Sequence, residues 1–88
     1  MNIEHQRIGC VIGYCCQFIK NPDEAVAHIL CLITTRKVEF DKDPAFYRER
    51  LREMLEDYPL QRLNDFGEEN FTEDQWRVIL QGVVNQLE

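Results

Sequence analysis

The sequence predicts an all-α fold, a compact bundle of four to five short helices forming one domain over residues 1–88. Three observations carry that expectation. Apolar residues recur at intervals of three and four along most of the chain. Three segments open on capping residues that agree with this period. A chain of 88 residues with 44% apolar content has room for one core and little room for a deep substrate pocket beside it.

The first helix is expected from about Asn2 to Lys20. Ile8, Val11, Ile12, Cys15, Phe18 and Ile19 recur on one helical face. Gly9 and Gly13 lie one turn apart and permit close approach of another backbone, each costing about 1 kcal/mol of helix stability relative to Ala. The β-branched content leaves a strand reading open for residues 7–14.

The second helix has a clear start. Asn21 caps it, Pro22 suits the first helical position, and Asp23 and Glu24 favour the positive end of the dipole. From Ala25 to Ile33 it is apolar nearly all round, which predicts burial on more than one side. Full burial is hard to achieve in so small a domain. The sequence therefore predicts a homodimer, with Gly9, Gly13, Leu32 and Ile33 as its self-association residues.

Val38 and Phe40 alternate with Lys37 and Glu39, so residues 36–40 allow a short strand, the α+β alternative, as well as a helix end. Asp43-Pro44 opens a third helix by the same cap-then-proline logic. Its apolar face is Tyr47, Leu51, Met54, Leu55 and Tyr58; Arg48, Glu49, Arg52, Glu53 and Glu56 take the other. Pro59 interrupts it. Leu60 and Leu63 support one more short helix that Gly67 ends. Thr72-Glu73-Asp74-Gln75 is a capping box with Phe71 and Trp76 as its hydrophobic staple. Trp76, Ile79, Leu80, Val83 and Leu87 form the buried stripe of the last helix.

Charge narrows the function. The net charge of −6 argues against direct binding of nucleic acid or of an anionic membrane surface. Residues 1–38 are close to neutral, and residues 39–88 carry the whole acidic excess. The apolar run Ile8 to Ile19 is too short to span a bilayer, and it lacks the small-residue cleavage site of a signal peptide. A cytoplasmic protein without a membrane role is expected.

No catalytic constellation stands out, and no cofactor is implied. Cys10, Cys15, Cys16 and Cys31 lie in apolar segments and are expected as buried thiols. His28 and Cys31 stand three apart on a helix, a spacing that can present two metal ligands, but paired ligands in turns are missing. A Cys–His dyad with His5 or His28 lacks an orienting third group. Asp41-x-Asp43 has Phe46 where a calcium loop needs glycine. Between Arg62 and Arg77 lie five acids and no cation: Asp65, Glu68, Glu69, Glu73 and Asp74, interleaved with Phe66, Phe71 and Trp76. That edge is the expected site for a protein partner, a basic one by charge. The plainer alternative turns the aromatics inward as staples. The function expected is a non-enzymatic interaction or regulatory module. The alternatives are an acidic mimic of nucleic acid that blocks a nucleic-acid-binding protein, and a thiol- or metal-responsive sensor.

Overall fold

The computed structural model describes residues 2–66 and 71–88. Four α-helices and one 3-10 helix follow one another: α1 Ile3–Cys15, α2 Pro22–Thr34, α3 Pro44–Asp57, the 3-10 helix Leu60–Phe66, and α4 Glu73–Leu87. No strand occurs among the described residues, so the bundle is all-α and the strand alternatives at residues 7–14 and 36–40 fall. Helix α4 is the spine, packed against α2 on one side and α3 on the other, while α1 lies on the 3-10 helix. The radius of gyration, 11.3 Å, is near the roughly 12 Å expected for a compact chain of this length.

The helix starts follow the capping chemistry. The Asn2 side chain accepts hydrogen bonds from the amides of Glu4 and His5, at 2.8 and 3.4 Å. Asn21 does the same for Asp23 and Glu24. At α4 the capping box is complete: Thr72 Oγ1 accepts from the Gln75 amide at 3.2 Å, and Gln75 Oε1 accepts from the Thr72 amide at 2.9 Å. Phe71 and Trp76 meet edge to face beneath it, 5.0 Å between centroids. Asp43 is different. It precedes α3 but makes no side-chain cap, because its carboxylate is drawn to Arg36.

The ends differ from expectation in two places. Helix α1 stops at Cys15 rather than Lys20. Beyond it the Gln17 and Ile19 amides bond back only three residues, to Tyr14 and Cys16. This tighter winding turns Cys16 into the core and leaves Phe18 at the surface, so Phe18 is not part of the buried face. Helix α2 ends in a Schellman motif. The Lys37 amide bonds the Leu32 carbonyl at 3.0 Å and the Arg36 amide bonds that of Ile33 at 3.3 Å. The residue in the left-handed conformation is Arg36, φ 54°, where glycine is usual. The chain breaks after α3 as Pro59 requires, with Tyr58 extended at ψ 133°. Gly67 lies outside the described residues.

One core unites every element: Ile8, Ile12 and Cys16 from α1, Ala25, Ile29, Leu32 and Ile33 from α2, Tyr47, Leu51 and Met54 from α3, and Trp76, Ile79, Leu80, Val83 and Val84 from α4. Phe40 closes it from the turn after α2, edge to face with Tyr47 at 5.0 Å. Leu32 and Ile33 are covered by the chain's own helices, and Gly9 and Gly13 are also buried. At Gly9 an added Cβ would stand 2.8 Å from Tyr58 Oη. The close approach that Gly9 permits is therefore to this intramolecular tyrosine. All four residues are buried within the single chain. The covering comes from α4, whose small Gly82 lets Val26 of α2 approach to 3.2 Å from the position of a Cβ.

Candidate functional site

Several regions among the described residues carry exposed or chemically capable groups. The most polar is a cleft of about 500 Å³ between the start of α1 and the end of α3, lined by Asn2, His5, Glu53, Asp57 and Tyr58. His5 shares the inward face of α1 with Ile8 and Ile12 and is 6% exposed. Its Nε2 lies 2.8 Å from Glu53 Oε1. An ionised carboxylate only accepts, so Nε2 carries the hydrogen. Arg50 donates to the other oxygen of Glu53 at 2.7 Å. The hydrogen bond from His5 is the chief cause that holds the Glu53 carboxyl below its ordinary value; burial opposes it, and the Arg50 guanidinium adds to the lowering. Burial pushes the Tyr58 hydroxyl up. With both carboxylate oxygens engaged by N–H donors, Glu53 joins α1 to α3 and is poorly suited to act as a base. This pairing is absent from the expectations above, although the spacing of His5, Ile8 and Ile12 already places the imidazole on the core face.

At the acidic edge, Phe71 and Trp76 are buried. The Trp76 indole N–H donates to Asn64 Oδ1. They are staples, which removes both from a docking surface. Asp65 and Glu73 lie 3.8 and 3.9 Å from Arg62 and Arg77, and Asp74 is exposed. Glu68 and Glu69 lie outside the described residues. The same interruption recurs elsewhere. Arg7 reaches Glu4 and Glu39, Arg36 reaches Asp43, Arg48 and Arg52 reach Glu49, and Arg52 also reaches Glu88.

The cysteines do not share one environment. Cys16 is buried, Cys10 and Cys15 are half-buried, and Cys31 is exposed, so the expectation of four buried thiols holds for one. Burial pushes the Cys15 thiol up, and burial followed by the neighbouring Cys15 pushes Cys16 up to about 12. His28 is half-buried on α2. Among the described residues no three His, Cys, Asp or Glu side chains are placed to hold one metal ion, and no helix is long and apolar enough to cross a membrane.

Four of the five large apolar side chains that stand exposed among the described residues lie on α1 or beside it. Ile3, Tyr14, Phe18 and Val38 are 83%, 62%, 79% and 64% exposed. Cys10, Val11, Tyr14, Cys15, Val38 and Glu39 line a shallow recess of about 320 Å³, and Ile3, Gln6, Arg7 and Cys10 continue it toward the helix start. Val38 is held there by its neighbours. Arg7 donates to the Glu39 carbonyl at 3.3 Å, and the Phe40 amide bonds Lys37. Between these anchors Val38 takes φ 57°, a left-handed conformation that is strained for a β-branched side chain.

No protein-family model, curated protein or solved structure matches the chain.

Proposed function

We propose that this protein is a non-enzymatic interaction module that docks another protein on the outward face of α1. One observation carries the reading: Val38, strained and two-thirds exposed, is set beside Tyr14 at the mouth of an apolar recess. A strained backbone that presents an apolar side chain to water costs stability twice, and such strain concentrates where binding uses it. Single exposed apolar residues are ordinary, whereas a contiguous row is a mark of an interface.

The acids Asp65, Glu68, Glu69, Glu73 and Asp74 act in this reading as a steering field for a basic partner rather than as its seat. A mimic of nucleic acid is less well supported, because guanidinium groups interrupt the described acidic surface. A thiol sensor requires a lowered thiol pKa, opposite to the shifts at Cys15 and Cys16. A reducing, cytoplasmic setting suits the solvent-reachable thiols of Cys10, Cys15 and Cys31.

The test is comparative capture from native cell extract with folded variants. Tyr14→Glu and Val38→Gly should lose a partner that the wild type retains, while Val38→Gly melts at a higher temperature because the strain is relieved. Glu73→Gln should keep the partner and bind it more slowly at low salt. Equal capture by the wild type, Tyr14→Glu and Val38→Gly would refute the reading.

A further inference from the structure

Resting on the reading of the chain as an interaction module, we infer that the exposed face of α2 is a seam for a second copy of this chain, joined antiparallel about a two-fold axis beside Leu30 and Cys31. The seam is separate from the α1 face. Asp23, Val26, Ala27, Leu30, Cys31 and Thr34 line an open groove that α4 completes with Val78 and Gly82.

Charge complementarity identifies the occupant. From Ala25 to Thr35 helix α2 and its cap carry no Asp, Glu, Lys or Arg. The acids Asp23 and Glu24 stand exposed before that stretch, and the cations Arg36 and Lys37 stand exposed after it. Arg36 is engaged by Asp43, which leaves Lys37 as the cation facing outward. An antiparallel copy turned about the centre of the helix sets Ala27 opposite the partner's Thr34 and Leu30 opposite the partner's Cys31, and brings the acidic start of each helix, at Asp23 and Glu24, toward the cationic end of the other, where Lys37 follows the cap. A parallel copy would set acid against acid. The antiparallel arrangement also opposes the two helix dipoles favourably.

Size agrees with charge. Ala27, Cys31 and Thr34 are small and exposed, so two helices can approach closely. The Thr34 hydroxyl is already satisfied by the Leu30 carbonyl at 2.8 Å and needs no water when covered. The exposed Val78 of α4, at 65%, forms the rim. A two-fold interface is self-complementary, so this one patch supplies both halves. The seam differs from one built on Leu32 and Ile33, which face the intramolecular core.

Sedimentation equilibrium of the full chain in reductant should show a dimer at tens of micromolar. Ala27→Glu, at an exposed position that leaves the fold intact, should give a monomer with an unchanged circular dichroism spectrum. Lys37→Glu should weaken association by about threefold to tenfold, since each dimer brings acid and cation together twice. Adding Glu24→Lys to Lys37→Glu should restore it, which a merely structural role for either residue would not produce. Mild oxidation should link two chains through Cys31, a product lost in Cys31→Ser and kept in Cys10→Ser. A monomeric wild type at that concentration, or a dimer indifferent to Ala27→Glu, would overturn the inference. A dimer broken by Tyr14→Glu instead would also overturn it and would move self-association to the α1 face. Loss of the seam with partner capture on α1 intact would leave the interaction reading standing.

Discussion

Trp76 is tied to Asn64, twelve residues upstream, by a 3.0 Å hydrogen bond from the indole N–H to the side-chain oxygen. The Asn64 amide nitrogen in turn donates to the Phe71 carbonyl at 2.8 Å. One side chain thereby joins the 3-10 helix to the backbone and the buried aromatic that begin α4. A buried indole N–H without a partner costs about 1–3 kcal/mol. Asn64→Ala should lower stability by that amount, and Asn64→Asp, which keeps the acceptor for the indole and loses the donor to Phe71, should lower it less. Urea unfolding followed by the fluorescence of Trp76, the only tryptophan, checks both. Equal stability of Asn64→Ala and the wild type would show that water replaces the amide.

Gly9 and Tyr58 give a steric prediction. A Cβ at Gly9 meets Tyr58 Oη at 2.8 Å, Cζ at 3.1 Å and Leu63 Cδ2 at 3.3 Å. Alanine improves helix propensity by about 1 kcal/mol, while overpacking a filled site costs about 1–3 kcal/mol. Gly9→Ala should therefore be net destabilising. In the Tyr58→Phe background the nearest atom is gone, and the same substitution should cost less, by about 0.5–1 kcal/mol of coupling. Additive effects in thermal melts would mean that α1 shifts rather than Tyr58.

Much of the fold was legible because local rules agreed with one another. Asn21-Pro22 and Thr72 to Gln75 each mark a helix start through hydrogen bonds formed within a few residues, so sequence alone contains both partners. The inward faces of α3 and α4 follow from period for the same reason. What was not legible depends on tertiary partners. Arg36 takes the left-handed position without the glycine that would advertise it, and Asp43 gives its carboxylate to that arginine rather than to a cap. Helix α2 reads as too apolar for a monomer because sequence does not show that α4 packs against it and that Ile29 and Ile33 are buried, while Ala27 and Cys31 stay outside. The acidic edge was visible as composition. That Phe71 and Trp76 turn inward depended on Asn64, whose role no short-range pattern signals. The recess at Val38 was missed because a strained turn has no sequence signature when glycine is absent.

The His5–Glu53 pair predicts an acid-sensitive joint between α1 and α3. The Glu53 carboxyl titrates below its ordinary 4.5, chiefly through the hydrogen bond from His5. A carboxyl with a lowered folded pKa adds stability that is complete above the unfolded value and lost as pH falls through the folded one. Its contribution should thus be constant at neutral pH and disappear progressively below about 4.5. Glu53→Gln should be less stable than the wild type at pH 7 and approach it at pH 3. Chemical denaturation across that range tests the convergence. Parallel curves would mean that the pair contributes nothing that depends on ionisation.

The thiols give a graded readout of local opening. Cys31 is exposed on α2, Cys10 and Cys15 are half-buried, and Cys16 is buried at the end of α1 with its thiol pushed up to about 12. Thiol reagents attack the thiolate, and at pH 8 a group of that acidity is ionised in only about one molecule in 10⁴. Burial blocks the reagent as well. In the native protein Cys31 should therefore label first and Cys10 and Cys15 more slowly, while Cys16 should react only when the chain opens. Its rate should rise with urea in step with global unfolding, since Cys16 belongs to the single core shared by all the helices. Mass mapping of labelled peptides over time gives the order. Labelling of Cys16 at a rate indifferent to urea would show that the tight turn after α1 opens on its own, and that the helix end is held less firmly than its burial implies.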